Sequence, residues 1–135
     1  MQKEKKEVIE KVKDILIKID YIIFCYIHGS FLDKDRFNDI DLALYIDENI
    51  IKETECVDSE ISLSLKLEKE FNKAIDIKFL NFSPLPFRYH ASAGLLLFCK
   101  DDTKREEFLC KTWAEYFDFL PISKIYLREM LNVEV

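Results

Sequence analysis

Glycine and proline are scarce in this chain, with two and three respectively among 135 residues. With so few backbone breakers there is no linker to divide the sequence, and no internal repeat or low-complexity tract interrupts it. The length fits one domain over residues 1–135. Positive charge is also in deficit. The chain has 20 Lys+Arg against 26 Asp+Glu, a formal charge of -6. Affinity for a phosphate backbone comes from clustered Lys and Arg, so this balance argues against nucleic acid as the primary partner. The cysteines at 25, 56, 99 and 110 lack the close spacings that bind zinc or form a redox couple, which leaves them as reduced packing residues. Long apolar runs are missing as well. The longest, Tyr21–Ile27, falls far short of the roughly 20 residues that span a bilayer, and the N-terminus alternates Lys and Glu where a signal peptide would be apolar. These absences predict a soluble cytoplasmic protein with no membrane partner.

What is present is material for a core. Apolar residues make up 49% of the chain and include 11 Phe and 6 Tyr, which excludes disorder as an overall description. Val8, Ile9, Val12, Ile15, Leu16 and Ile19 recur at helical spacing and predict an amphipathic helix ending near Asp20. Tyr21–Ile27 reads as a buried strand running straight into His28-Gly29-Ser30. Ile40, Leu42, Leu44 and Ile46 alternate with Asp39, Asp41, Ala43 and Tyr45, the two-residue period of a strand. Ile61, Leu63, Leu65, Leu67 and Phe71 predict a helix capped at Asp58-Ser59. Ala74–Leu80 is a third strand, with Ile75, Ile77 and Phe79 on one face and Asp76 and Lys78 on the other. Pro84 and Pro86 punctuate a connection before a fourth strand, Leu95–Cys99, opened by Gly94. The tail is helical from about residue 102. Leu109, Trp113, Tyr116, Phe117 and Leu120 recur at helical spacing, the aromatic stripe of Trp113, Tyr116, Phe117, Phe119 and Tyr126 reads as core in preference to an interface anchor, and Pro121 starts a last short helix. The sum is an α+β fold, a small mixed sheet with its aspartates on one face and helices covering the other.

The chemistry concentrates between His28 and Leu42. One of the two glycines, Gly29, sits beside Ser30 where a buried strand must turn, and a residue without a side chain there lets backbone N–H groups approach a phosphate. Alone, a Gly-Ser pair is more often an ordinary turn. Asp39-Ile40-Asp41 changes that balance. Two aspartates one residue apart in a strand project from the same face, where their like charges repel, and a divalent cation removes the conflict. Mg²⁺ accepts a few carboxylates together with phosphate oxygens, and Asp76 on another strand's polar face completes a three-carboxylate set. Arg36, with Lys34 beside it in the intervening loop, is a candidate phosphate contact, although exposed loop cations are commonly just solvated. Asp33 and Asp35 read as solvated turn residues, and His28 as a strand-end packing or hydrogen-bonding residue.

Gly29-Ser30, Asp39-Ile40-Asp41 followed by Leu42-Ala43-Leu44, and Asp76 within Ile75-Asp76-Ile77 resemble the nucleotidyltransferase superfamily that includes polymerase β. The short length points to its minimal nucleotidyltransferase branch, MNT. Residues 31–38 depart from many relatives in lacking an additional glycine. The resemblance implies a nucleotidyltransferase fold in which Asp39 and Asp41 hold Mg²⁺ against the triphosphate of ATP. It implies that Gly29, Ser30 and Arg36 contact phosphate, and that Asp76 either holds a second metal or takes the acceptor's proton.

MNT proteins of this size resemble the antitoxin halves of HEPN/MNT toxin-antitoxin pairs. The expected function is therefore Mg-dependent transfer of AMP to a tyrosine of a HEPN toxin. The competing expectations are an antitoxin that neutralises its partner by occlusion alone, and nucleotidyl transfer to a small molecule, where a homodimer can lend residues to the site.

Overall fold

A computed structural model describes residues 3–29, 39–119 and 129. Helix α1, Lys3–Leu16, leads into strand β1, Ile22–His28. After the loop come β2, Asp39–Ile46, helix α2, Cys56–Phe71, and β3, Ala74–Phe79. Helix α3, Leu85–Ser92, strand β4, Leu95–Cys99, and helix α4, Asp102–Phe119, complete the described order. The sheet runs β3-β2-β1-β4. β1 is antiparallel to both β2 and β4, whereas β2 and β3 are parallel, so the sheet is mixed as expected. No helix among the described residues is long and apolar enough to cross a membrane.

The sheet has a core on each face. Strand periodicity sends Cys25, Ile27, Ile40, Leu42, Leu44, Ile75 and Ile77 to one side, where Val12 and Leu16 of α1 and Leu63 and Leu67 of α2 cover them. Phe24, Tyr26 and Ala43 point the other way and meet Ala91 of α3 and Phe108 of α4. Helices therefore flank both faces of the sheet, including the one that carries the aspartates. A β-bulge between Ile22 and Phe24 lets β1 contribute Ile22 and Cys25 to the first core while Phe24 serves the second.

Several boundaries differ from the sequence expectation for local reasons. α1 stops at Leu16, and Ile19 joins the core from a turn closed by its N–H bond to the Leu16 carbonyl at 3.1 Å. α2 begins at Cys56, after a 3-10 turn over Glu53–Glu55, so Asp58 and Ser59 lie inside the helix and do not cap it. The connection at Pro84 and Pro86 holds α3. Pro84 is its N-cap and Pro86 stands in its first turn, where an N–H has no helical partner to lose. Among the described side chains of α4, the buried ones are Phe108 and Thr112. Trp113 and Phe117 are 39% and 49% exposed, which corrects their assignment to the core. The helix turns Trp113 and Tyr116 toward Tyr89 on α3, with Tyr116 stacked on Tyr89 at 3.8 Å between ring centroids. Cys25 and Cys56 are buried packing residues, but Cys110 is exposed on α4. The expected helix after Pro121 lies outside the described residues, as does the side chain of Leu120.

Two polar side chains pin the ends of strands. The Glu60 carboxylate is buried on α2 and accepts the Phe79 N–H at 2.7 Å. The Asn81 amide bonds both backbone groups of Ile46, accepting its N–H at 2.8 Å and donating to its carbonyl at 2.9 Å. That side chain replaces a strand partner where β2 ends.

Candidate active site

Strand register assembles the site. Asp41 on β2 pairs with His28 on β1 on one side and with Asp76 on β3 on the other, so the three side chains form a row across adjacent strands. Asp39 lies two residues before Asp41 on the same face, opposite Ala74. Asp39, Asp41 and Asp76 line one cavity of about 390 Å³, together with Glu68 from the last turn of α2. Glu68 also accepts the Ile75 N–H at 3.0 Å, which ties the start of β3 to the helix. It was not among the sequence candidates. In the sequence it is one more charge on an amphipathic helix, and only the return of β3 beside α2 brings it to the aspartates.

Gly29 has a structural requirement of its own. Its φ of +79° is in the left-handed region, and a Cβ built on it would stand 2.5 Å from Asp41 Oδ2. The chain can leave β1 this close to the carboxylate only without a side chain. The other glycine, Gly94, is confined in a similar way, since a Cβ there would collide with the Ile27 carbonyl. Ser30, Lys34 and Arg36, like Asp33 and Asp35, lie outside the described residues.

The electrostatics follow from the row. Burial pushes the Asp41 carboxyl above its ordinary value, and the like charges of Asp76 and Asp39 add to this, against an opposing pull from His28. Burial lowers His28 more than the neighbouring charges of Asp41 and Asp76 raise it, so its imidazole gives up its proton more readily than a free one. The ring rests edge-on against Phe87 of α3 at 5.3 Å, the packing role expected of it, while sharing a face with the carboxylates. His90 sits on α3 against Tyr89 and Tyr116, among the aromatics of the α3–α4 seam. Arg88 on the same helix pairs with Glu115 at 3.4 Å.

Residues 10–103 match the family model described as polymerase beta nucleotidyltransferase. The chain belongs to this family. In sequence, no curated protein matches it. Among solved structures, it is similar to a chain of the complex between tri-AMPylated Shewanella oneidensis HEPN toxin and MNT antitoxin, with a TM-score of 0.65 and 17% identity. That match covers 95% of this chain and 96% of the other. It is also similar to the toxin-antitoxin complex MntA-HepT, with a TM-score of 0.63 and 17% identity over 94% and 96% of the two chains. A third similar structure is a toxin-antitoxin with AMP-PNP, with a TM-score of 0.63 and 18% identity over 93% and 95%. At these identities the likeness speaks to the fold, which is that of a nucleotidyltransferase with a four-stranded mixed sheet.

The donor set of this nucleotidyltransferase fits a hard divalent cation. All four carboxylates at the cavity offer oxygen, and Asp41 carries a charge that its surroundings disfavour. Among the described residues no group of three or more such side chains closes to the spacing of a formed metal site. Mg²⁺ does not require one, because it is commonly held by one or two carboxylates and completes its shell with water and substrate phosphates.

Proposed function

We propose that this chain is a Mg-dependent nucleotidyltransferase that moves AMP from ATP to a tyrosine hydroxyl of a partner HEPN toxin, and so acts as an antitoxin. The observation that carries this reading is the row of Asp41 and Asp76 on neighbouring strands, with Gly29 held against the Asp41 carboxylate. The HEPN partner comes from the similar structures, among them one of a tri-AMPylated toxin with its MNT antitoxin.

Asp39 and Asp41 would hold Mg²⁺, which when bound neutralises charge on the triphosphate and stabilises the charge that develops on the leaving group. Gly29, at the exit from β1, and Ser30 and Arg36 beyond it would contact the phosphates. The acceptor oxygen attacks the α-phosphorus in line, a new P–O bond forms, the bond to the bridging oxygen breaks, and pyrophosphate departs. Asp76 is exposed beside Asp41 and either takes the hydroxyl proton or completes the metal-binding carboxylates.

The test is intact-mass analysis of a HEPN toxin after incubation with ATP, Mg²⁺ and either wild type or Asp41→Asn. The toxin is expected to gain AMP with wild type only. Equal modification by both proteins would remove Asp41 from the active site. A second reading, occlusion of the partner without catalysis, is favoured by the exposed Trp113 and Phe117 on α4. In that case Asp41→Asn would protect cells from the toxin as well as wild type does.

A further inference from the structure

Helix α2 carries apolar side chains on two sides. Cys56, Leu63 and Leu67 face the sheet, whereas Val57, Ile61 and Leu65 point to solvent with 64%, 53% and 55% of their surface exposed. A helix on the surface of a lone domain ordinarily keeps polar residues there. These three recur at i, i+4 and i+8, so they form one continuous ridge.

The series continues at both ends with charge. Glu53, on the 3-10 turn leading into α2, stands four residues before Val57, and Lys69 stands four after Leu65. Both are exposed. Neither Glu53 nor Lys69 is in the salt bridges seen among the described residues, such as Arg88–Glu115 and Lys111–Glu115.

The order acid, three apolar residues, base is complementary to itself when reversed. In an antiparallel pairing about a two-fold axis at Ile61, Val57 of one protomer lies opposite Leu65 of its partner. Ile61 meets its own copy, and Glu53 faces Lys69 at both ends. A parallel alignment would instead set acid against acid and base against base. From this charge complementarity we infer that the outer face of α2 is the interface of a homodimer, with a second copy of this chain as its occupant. Ridges at four-residue spacing pack on each other with helix axes crossing at about 50°. That crossing places the short apolar residues at the centre and leaves the long Glu and Lys side chains to meet at the rim. The contact is isologous, the commonest arrangement of soluble oligomers.

Sedimentation velocity on the full chain, over a dilution series at low salt, tests the proposal. Wild type is expected to associate reversibly into dimers. Ile61→Glu places two like charges at the axis and is expected to be monomeric at every concentration, with an unchanged circular dichroism spectrum and the melting of dilute, monomeric wild type. Lys69→Glu and Glu53→Lys should each weaken dimerisation on the order of tenfold, because symmetry reverses two rim pairs at once. The double variant Glu53→Lys/Lys69→Glu should regain wild-type association. A wild type that stays monomeric at the highest concentration would overturn the proposal, as would dimers that survive Ile61→Glu. A double variant no tighter than its parents would overturn the antiparallel pairing.

Discussion

Replacing Gly29 by alanine separates the two demands that the site makes on this residue. A left-handed backbone costs a residue bearing a Cβ about 1–2 kcal/mol, and Gly29 has a φ of +79°. The new methyl would also meet Asp41 Oδ2 at 2.5 Å, so the carboxylate must retreat by most of an ångström to restore ordinary contact. That second cost exists only while the carboxylate is there, since the Asp41 Cβ lies at a comfortable 3.7 Å. Urea unfolding followed by circular dichroism, without added Mg²⁺, should show Gly29→Ala costing about 1 kcal/mol more in the wild-type background than in Asp41→Ala, a coupling within the range usual for touching residues. The carboxylate's retreat should also slow AMP transfer by about a hundredfold, the usual penalty for misplacing a catalytic group by about 1 Å. Equal destabilisation in both backgrounds would refute the close approach and leave only the backbone conformation as the reason for glycine. Full activity in Gly29→Ala would refute the placement of Asp41 at the reacting centre.

Glu60→Ala removes the acceptor of the Phe79 N–H in a buried setting and is expected to cost about 1–3 kcal/mol in the same unfolding assay. Glu68→Gln keeps an oxygen for the Ile75 N–H but removes a charge from the cavity, so stability should hold within about 0.5 kcal/mol while the Mg²⁺ requirement for transfer rises. Glu68→Ala should lose about 1 kcal/mol as well. Iodoacetamide at mildly alkaline pH should label exposed Cys110 first, as counted by mass spectrometry. Burial raises the thiols of Cys25, Cys56 and Cys99, Cys56 to about 11, so thiolate is scarce there and Cys25 and Cys56 should react only after denaturation.

The strands were legible because their patterning is strict. Ile75, Ile77 and Phe79 are buried and Asp76 and Lys78 exposed, as a two-residue period requires. Asp39, Asp41 and Asp76 could be placed together because a carboxylate in a strand is itself unusual. Helix α3 was not legible. Its eight residues carry little amphipathic signal, and two prolines suggest a break where they in fact start a helix. The buried side of α4 was misjudged because Trp113 and Phe117 are conspicuous, whereas the helix inserts Phe108 and Thr112. Glu68 and the register of His28 with Asp41 are properties of tertiary pairing, and no local spacing encodes them.

The connection between α2 and β3 has a further consequence. α2 ends at Phe71, Asn72 takes a left-handed conformation at φ 52°, and only Lys73 follows before β3 begins. This short hinge, with the Glu68 bond to Ile75, sets which residue of β3 comes level with Asp41. One added residue would turn Asp76 into the core and present Ile75 or Ile77 to the nucleotide. Length in this segment is therefore under the same constraint as the identity of the aspartate, so an insertion here would abolish transfer in a protein that still contains every carboxylate.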